Sequence, residues 1–507
     1  MSSSADLSQR SISAVLWGAT GSAVQLSLQF GIQIVLARLL GPEQYGLFAI
    51  AFVVVSFSNF FSSIGIAYGL IQKRTVTDSD IRFTNFWQLA LGSIVAATVF
   101  IFAEPISGFF QEPKVAPIIQ ALSVVCVLEA AAAPSLNLLK RDLDFKSIQL
   151  AHVVSYAIGY GLVGISLAVL GYGVVALASA LITQTFLKLG LLYGRKRHVL
   201  GLVIWYGDAV KLIRYGLTVF ATNVNNWMMV NLSRVIVGRV FPSGPMGLYS
   251  VSYNLVMQLA NGLISVLESP LFSASARLQD DPERRRIGFL TVLAAVTLFV
   301  APAFVGVAVA PGTIILALYG DAWRSGADLL GPFAIAMPMY IVLNMATPML
   351  WTSGRTTQEF TLQLPITFVL AFAAYMAAQH SLVAVVWTVL GVFILRFVVV
   401  MTATCVALGL RVRDIARACR AGVAACLLVA LGIGLVDEVA TRAIDRRSIV
   451  LVVDIVTGMV VQLVALRLLR PWFSAELLKL FEKLLARLPR SVVAPLGELI
   501  LAGRKRT

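Results

Sequence analysis

The chain has 507 residues, of which 59% are hydrophobic and only 13% charged, and its mean hydropathy is +0.87. The charged share is about half that of an ordinary soluble domain, which excludes a soluble globular enzyme. The 40 Lys and Arg against 25 Asp and Glu give a net charge of +15, a surplus that reads as a nucleic-acid footprint only if it forms one soluble patch.

Apolar runs bounded by charge or by Pro/Gly clusters predict spans near 13–37, 46–70, 84–103, 116–137, 148–169 and 171–193. A second set follows near 211–238, 246–272, 287–310, 328–351, 360–379 and 381–408, with a last pair near 416–436 and 448–468. The predicted fold class is an all-α polytopic membrane protein of about 14 transmembrane helices; at about 20 residues each they use about 280 residues and leave only short loops. The expected organisation is an N-terminal six-helix bundle over 1–197, a C-terminal six-helix bundle over 198–410, an extra helix pair over 411–470 and a basic tail over 471–507. Residues 1–10 are polar and the first span lacks a small-residue cleavage site, so it reads as a retained helix, with the mature chain expected to begin near Met1. Cys126, Cys405, Cys419 and Cys426 fall in or beside apolar runs, and the last two are seven apart on one helix, too far to bridge.

Most of the basic residues sit in the tails and in alternate connections: Lys140, Arg141 and Lys146; Arg195, Lys196 and Arg197; Arg284, Arg285 and Arg286; Arg411, Arg413, Arg417 and Arg420. The positive-inside rule then places both termini in the cytoplasm. The other connections hold Lys114, Arg324 and the balanced run Asp437, Glu438, Arg442, Asp445, Arg446 and Arg447, which votes weakly. Over 471–488, Leu477, Phe481, Leu484, Leu485 and Leu488 share one side of a helix and Lys479, Glu482, Lys483 and Arg487 the other. With Trp472 before it and Arg504, Lys505 and Arg506 after it, this predicts an amphipathic anchor on anionic lipids of the cytoplasmic leaflet.

The chain repeats itself. Arg38-x7-Gly46-Leu47-Phe48 recurs as Arg239-x7-Gly247-Leu248-Tyr249, an offset of 201 (247 − 46). A repeat of six spans returns to the same membrane side, so the halves are expected to be parallel, related by an axis along the membrane normal. The same offset pairs Gln25 with Asn226 and Gln33 with Arg234. Ser22, Gln25, Gln29 and Gln33 follow steps of three and four and hence share a face. The seventh span carries Thr222, Asn223, Asn225, Asn226, Asn231, Ser233 and Arg234. Lipid cannot solvate such stripes, so they must meet protein or water. Amides that merely bond neighbouring helices are the plain alternative; two repeat-related stripes favour a hydrated cleft.

Arg396 lies within the span 381–408, where a guanidinium is costly and needs a partner or water. Glu129, Glu268 and Asp454 are the acids inside or near span ends: each is a partner for Arg396, an ion-coupling candidate or one member of a structural pair. Arg38, Arg234 and Arg239 lie at the outer ends of the first and seventh spans, where they either snorkel or form a cationic vestibule for an anionic substrate. His152, His198 and His380 have no ligand neighbours at metal spacing, and neither a metal nor a cofactor is expected. Two D-x-D patterns, Asp78/Asp80 and Asp142/Asp144, lie in short loops that cannot supply the rest of a catalytic site.

Three segments, "LARLLGPEQYGLFAIAF" after the first span, "LLKRDLDFKSI" after the fourth and "LYGDAWRSGADLL" before the tenth, resemble signatures of Wzx-type polysaccharide flippases. The likeness is to the polysaccharide-transporter branch of the multidrug/oligosaccharidyl-lipid/polysaccharide exporter superfamily and covers roughly 10–410. The resemblance implies a V-shaped pair of six-helix bundles around a cavity lined by the first, second, seventh and eighth helices. It also implies movement of an undecaprenyl-diphosphate-linked sugar repeat unit between the leaflets of the bacterial inner membrane, with polysaccharide polymerase and chain-length or export proteins as partners and no nucleic acid. Within it, Gln25, Gln29, Gln33, Arg38, Asn223, Asn226, Arg234, Arg239 and Arg396 are the cavity candidates. Two other readings stay open: a cation-coupled small-molecule exporter of the same superfamily, and a non-transporting scaffold of polysaccharide assembly. A membrane-embedded glycosyltransferase or polymerase would need a larger loop or a convergent acid/base set.

Overall fold

A computed structural model describes residues 4–63, 66–73, 75–199, 201–207, 209–277, 282–352 and 356–478. Every regular element among them is helical. The chain-order helices are α1 (Ser4–Ser63), α2 (Asp78–Ile101), α3 (Val124–Arg141), α4 (Phe145–Tyr156), α5 (Val174–Arg195), α6 (Ala209–Val240) and α7 (Ser243–Arg277). They continue as α8 (Pro282–Ala295), α9 (Ala327–Thr352), α10 (Thr356–Ala378), α11 (Leu382–Leu408), α12 (Val412–Ala443) and α13 (Arg447–Leu468).

Eleven segments among the described residues are long and apolar enough to cross a bilayer. α1 covers two of the expected spans, because Gly41 (φ 71°, ψ 174°) and Pro42 interrupt it. Glycine adopts that positive φ without Cβ strain and the proline removes a backbone donor, so the helical ladder breaks there. α6 and α7, of 32 and 35 residues, cover the seventh and eighth expected spans. The described residues of the expected runs are mostly helical, consistent with the expected fold class. The amphipathic tail over 471–488 lies outside the described residues from Lys479 onward.

Packing divides the chain into two units, Met1–Val251 with Thr367–Val385, and Ser252–Ile366 with Val386–Thr507. In the first, α1 packs against α2, α3, α4, α5 and α6, with α2 and α3 in close contact and α5 against α3 and α4. α4 continues through a π-helical stretch, Ala157–Gly164, whose Gly159 lies close to Ala180 of α5. In the second unit α12 and α13 pack along each other, α12 also packs against α8 and against Ala301–Val309, and α13 against Pro311–Leu318. α12 runs to Ala443, so Asp437 and Glu438, expected in a connection, stand inside a helix. Glu438 accepts from Arg442 one turn on at 2.6 Å, and Thr441 Oγ1 donates to the Asp437 carbonyl at 2.6 Å; these local bonds carry the helix past its apolar stretch.

The loop aspartates are used as helix caps. Asp80 and Thr77 form a capping box at the start of α2: Asp80 Oδ2 accepts from the Thr77 amide at 2.8 Å. Asp80 also accepts from Lys73 Nζ at 2.7 Å and from the Tyr206 hydroxyl, and Trp87 Nε1 donates to the Ile204 carbonyl at 3.0 Å. The stretch before α6 is thereby fastened to α2. Asp144 caps α4, accepting from Ser147 N at 3.1 Å and Arg195 Nε at 3.3 Å, while Asp142 pairs with Lys196 at 2.6 Å.

Candidate functional site

The polar stripes predicted on the first and seventh spans lie on α1 and α6, which pack together within the first unit. Their join is aromatic toward the end of α1: Trp227 Nε1 donates to Ser56 Oγ at 3.2 Å and its ring lies 4.8 Å from Phe57, while Phe61 meets Phe220 at 5.3 Å. This wall escaped the sequence reading, because aromatic residues on apolar helices are indistinguishable from ordinary packing until a neighbour is known.

Exposure varies along both stripes. Gln33 and its repeat mate Arg234 are buried, each 9% exposed. Gln25 and Gln29 are half-buried, and Asn226, the mate of Gln25, is exposed. Asn223 is half-buried, whereas Asn225 is buried and its side-chain oxygen accepts no hydrogen bond from the described residues. On α6, Arg234 donates to Asn231 Oδ1 at 3.4 Å, Asn231 Nδ2 donates to the Trp227 carbonyl at 3.1 Å, and the Tyr249 hydroxyl donates to Ser233 Oγ at 2.8 Å. The buried end of α6 is thus a hydrogen-bonded polar ladder. At the other end of the α1 stripe, Gln149 Nε2 of α4 donates to Ser22 Oγ at 3.3 Å.

The buried ends converge on the repeated motif. A Cβ on Gly46 would stand 1.6 Å from the Ser243 carbonyl oxygen, and one on Gly247 would stand 1.9 Å from that of Pro42. Pro42 and Ser243 are themselves related by the offset of 201 (243 − 42). The two copies therefore touch reciprocally, backbone on backbone, at a contact that only glycine admits. Arg38 is exposed beside this contact, and the Arg239 guanidinium stacks over Phe109 at 5.4 Å.

The other candidates are not brought to these stripes by any described contact. Arg396 donates to Gln363 Oε1 of α10 at 2.7 Å within the second unit. Glu129 of α3 pairs with Lys188 of α5 at 2.5 Å. Asp454 is buried on α13. Glu268 falls on α7, and its side chain lies outside the described residues. Lys188 and Gln363 were missed because single polar residues on apolar helices show no periodicity that names a partner.

Comparison with known proteins places this architecture. In Escherichia coli (strain K12), the lipopolysaccharide biosynthesis protein WzxC is 24% identical over 407 residues, covering 77% of this chain and 81% of that protein. The succinoglycan biosynthesis transport protein ExoT of Rhizobium meliloti (strain 1021) is 23% identical over 373 residues, covering 73% of this chain and 75% of its own. Among solved structures, the lipid II flippase MurJ in an inward closed conformation superposes with a TM-score of 0.66 at 13% identity, covering 90% of this chain and 97% of that one. The fold is shared with that structure. The profile of the family described as polysaccharide biosynthesis protein matches residues 35–328, more than half of the chain, and the chain belongs to that family.

Proposed function

We propose that the protein is a flippase that moves undecaprenyl-diphosphate-linked oligosaccharide repeat units across the bacterial inner membrane by alternating access. The observation that carries this reading is the pair of repeat-related stripes on α1 and α6, buried at Gln33 and Arg234 beneath the reciprocal glycine contact and opening toward Gln25 and Asn226. Sugars and diphosphate need hydrogen-bond partners and cationic groups throughout a crossing, whereas a prenyl tail stays in lipid. Gln25, Gln29, Gln33, Asn223, Asn226 and Arg234 would contact the headgroup, with Arg38 and Arg239 forming a cationic rim and Arg396 setting the potential within the second half. Glu129, Glu268 and Asp454 are the positions from which an ion would act. The printed names of WzxC, ExoT and MurJ support the class of cargo.

In this reading both termini are cytoplasmic, the halves 1–197 and 198–410 are the moving bundles, and 411–470 is an added pair. Polymerase and chain-length proteins would receive the product. The test is movement of lipid-linked oligosaccharide in vesicles containing purified protein. Gln25→Leu combined with Asn226→Leu, both at accessible positions, is expected to slow movement about tenfold, near 1.4 kcal/mol of lost stabilisation, without lowering the thermal midpoint. Unchanged movement in a folded double variant would remove the stripes from the pathway. Dye efflux without lipid-linked sugar movement would favour a small-molecule exporter instead.

A further inference from the structure

The second unit holds a pocket that the transport reading does not use. It lies near the starts of α8 and α12 and the end of α13, and its volume is about 310 Å3. α12 packs against both α8 and α13. After α13 the chain turns through Arg470–Trp472 and folds back, and Leu477 is 2% exposed in a core cluster with Leu298, Ala421 of α12 and Leu466 of α13. This returning segment supplies one wall of the pocket. Leu290 and Leu298 contribute apolar lining, and Arg417, Arg420, Trp472 and Ser474 contribute polar lining.

The polar groups here are donors in search of an anion. The Arg420 guanidinium lies over the Trp472 ring at 5.5 Å, and one of its nitrogens donates to the Trp472 carbonyl at 3.4 Å. A guanidinium has five N–H donors, so most of them stay open to a second acceptor. Arg417, about one turn earlier and exposed, has no hydrogen bond or ion pair among the described residues. Ser474 Oγ accepts from the Leu477 amide at 3.2 Å, which leaves its own O–H to donate. Two acids, Asp414 and Glu476, also line the pocket. Asp414 is matched by Arg286 of α8 at 2.6 Å and accepts the Arg411 amide at 3.1 Å. Three arginines less two acids leave a surplus of one positive charge, and Arg411, Arg413, Arg467 and Arg470 at the same helix ends add to the field. The chain beyond Leu478 does not supply the anion, because residues 479–507 carry seven Lys and Arg against Glu482 and Glu498.

We propose that this pocket binds an anionic glycerophospholipid, with its phosphate at Arg417, Arg420 and the Ser474 hydroxyl and an acyl chain along Leu290 and Leu298. Phosphate oxygens accept charge-assisted hydrogen bonds from guanidinium groups. The apolar lining suits a hydrocarbon chain, which free phosphate lacks. A basic pocket at the ends of transmembrane helices is also where a bilayer presents such headgroups. A lipid held there ties the returning segment, and with it the start of the basic tail, to α8 and α12. The site stands or falls independently of the transport reading.

The test is native mass spectrometry of delipidated full-length protein in a non-ionic detergent, with dioleoyl phosphatidylglycerol or dioleoyl phosphatidylcholine added. The two lipids share acyl chains, and only the first carries a net charge. One phosphatidylglycerol per chain is expected to be retained at a concentration where phosphatidylcholine is not. Arg417→Gln, which breaks no contact among the described residues, is expected to weaken retention about fivefold. Adding Arg420→Gln should weaken it further, whereas Arg417→Lys should keep most of it. The tail is unchanged in all these variants, so the loss locates the lipid at the pocket. If Arg420→Gln unseats Trp472 and lowers the thermal midpoint, Arg417→Gln alone decides. Equal retention of phosphatidylcholine, or undiminished retention of phosphatidylglycerol by folded Arg417→Gln, overturns the site. So does displacement of the lipid by an equal concentration of inorganic phosphate, since a free anion would then be the occupant. Retention of neither lipid also overturns it and points to the apolar face of the tail as the cover.

Discussion

Lys188 and Glu129 show how a charge is held inside an apolar bundle. Their 2.5 Å pair joins α5 to α3, with the lysine side chain 11% and the glutamate side chain 35% exposed. Removing one partner leaves the other without compensation, which costs more than the pair itself contributes. Lys188→Met is therefore expected to cost about 2 kcal/mol, between the values for exposed and buried pairs, and to be largely repaired by adding Glu129→Gln; thermal unfolding in detergent measures both. Asp144 gives a second prediction outside the spans. Burial works to raise its pKa, but hydrogen bonds from the Ser147 hydroxyl and amide and the nearby Arg195 outweigh this and hold it below the ordinary carboxylate range. A depressed carboxyl contributes stability that is full above its unfolded value and is lost as pH falls through the folded one. Asp144→Ala should thus lower stability by about 1 kcal/mol at neutral pH, as loss of a helix cap does, and the difference from wild type should shrink below about pH 4. The Lys188–Glu129 and Arg195–Asp144 partnerships do not follow from residue spacing, because each joins positions dozens of residues apart.

The helices themselves were largely legible, since the predicted apolar runs fall mostly on helical residues, and the polar face of α1 followed from steps of three and four. What the sequence left open is how the repeated motif is used. The offset relating Gly46 to Gly247 is visible in the letters, but letters carry no distance, and only coordinates show each glycine against the backbone of the other copy. A methyl group at either position has nowhere to go, because the opposing atom is a carbonyl oxygen and not a flexible side chain. Gly46→Ala and Gly247→Ala are expected either to cost about 1–3 kcal/mol or to part the contact. Parting would show as faster modification of Gln33→Cys, in a cysteine-free background, by a maleimide that cannot cross membranes. A folded alanine variant with unchanged labelling would show that the contact does not close the stripe. The boundary of α12 was misread for a related reason: acids and bases at its end resemble a loop by composition, yet at one-turn spacing they pair along a helix.

For the whole molecule, the distribution of basic residues makes a prediction that the fold alone does not. In the proposed orientation, with both termini cytoplasmic, Ser325→Cys, exposed before α9, should be modified in intact cells. Arg197→Cys, exposed after α5, should react only once the membrane is permeabilised. The opposite pattern would invert the proposed direction of transport. The reciprocal glycine contact also bears on origin. Gly46 meets Ser243 while Gly247 meets Pro42, and the four positions are two sites in two copies. Such an isologous patch is self-complementary, as in a two-fold dimer. An ancestral single-length chain bearing this glycine would have been able to pair with its own twin before any fusion, so duplication had no new interface to invent.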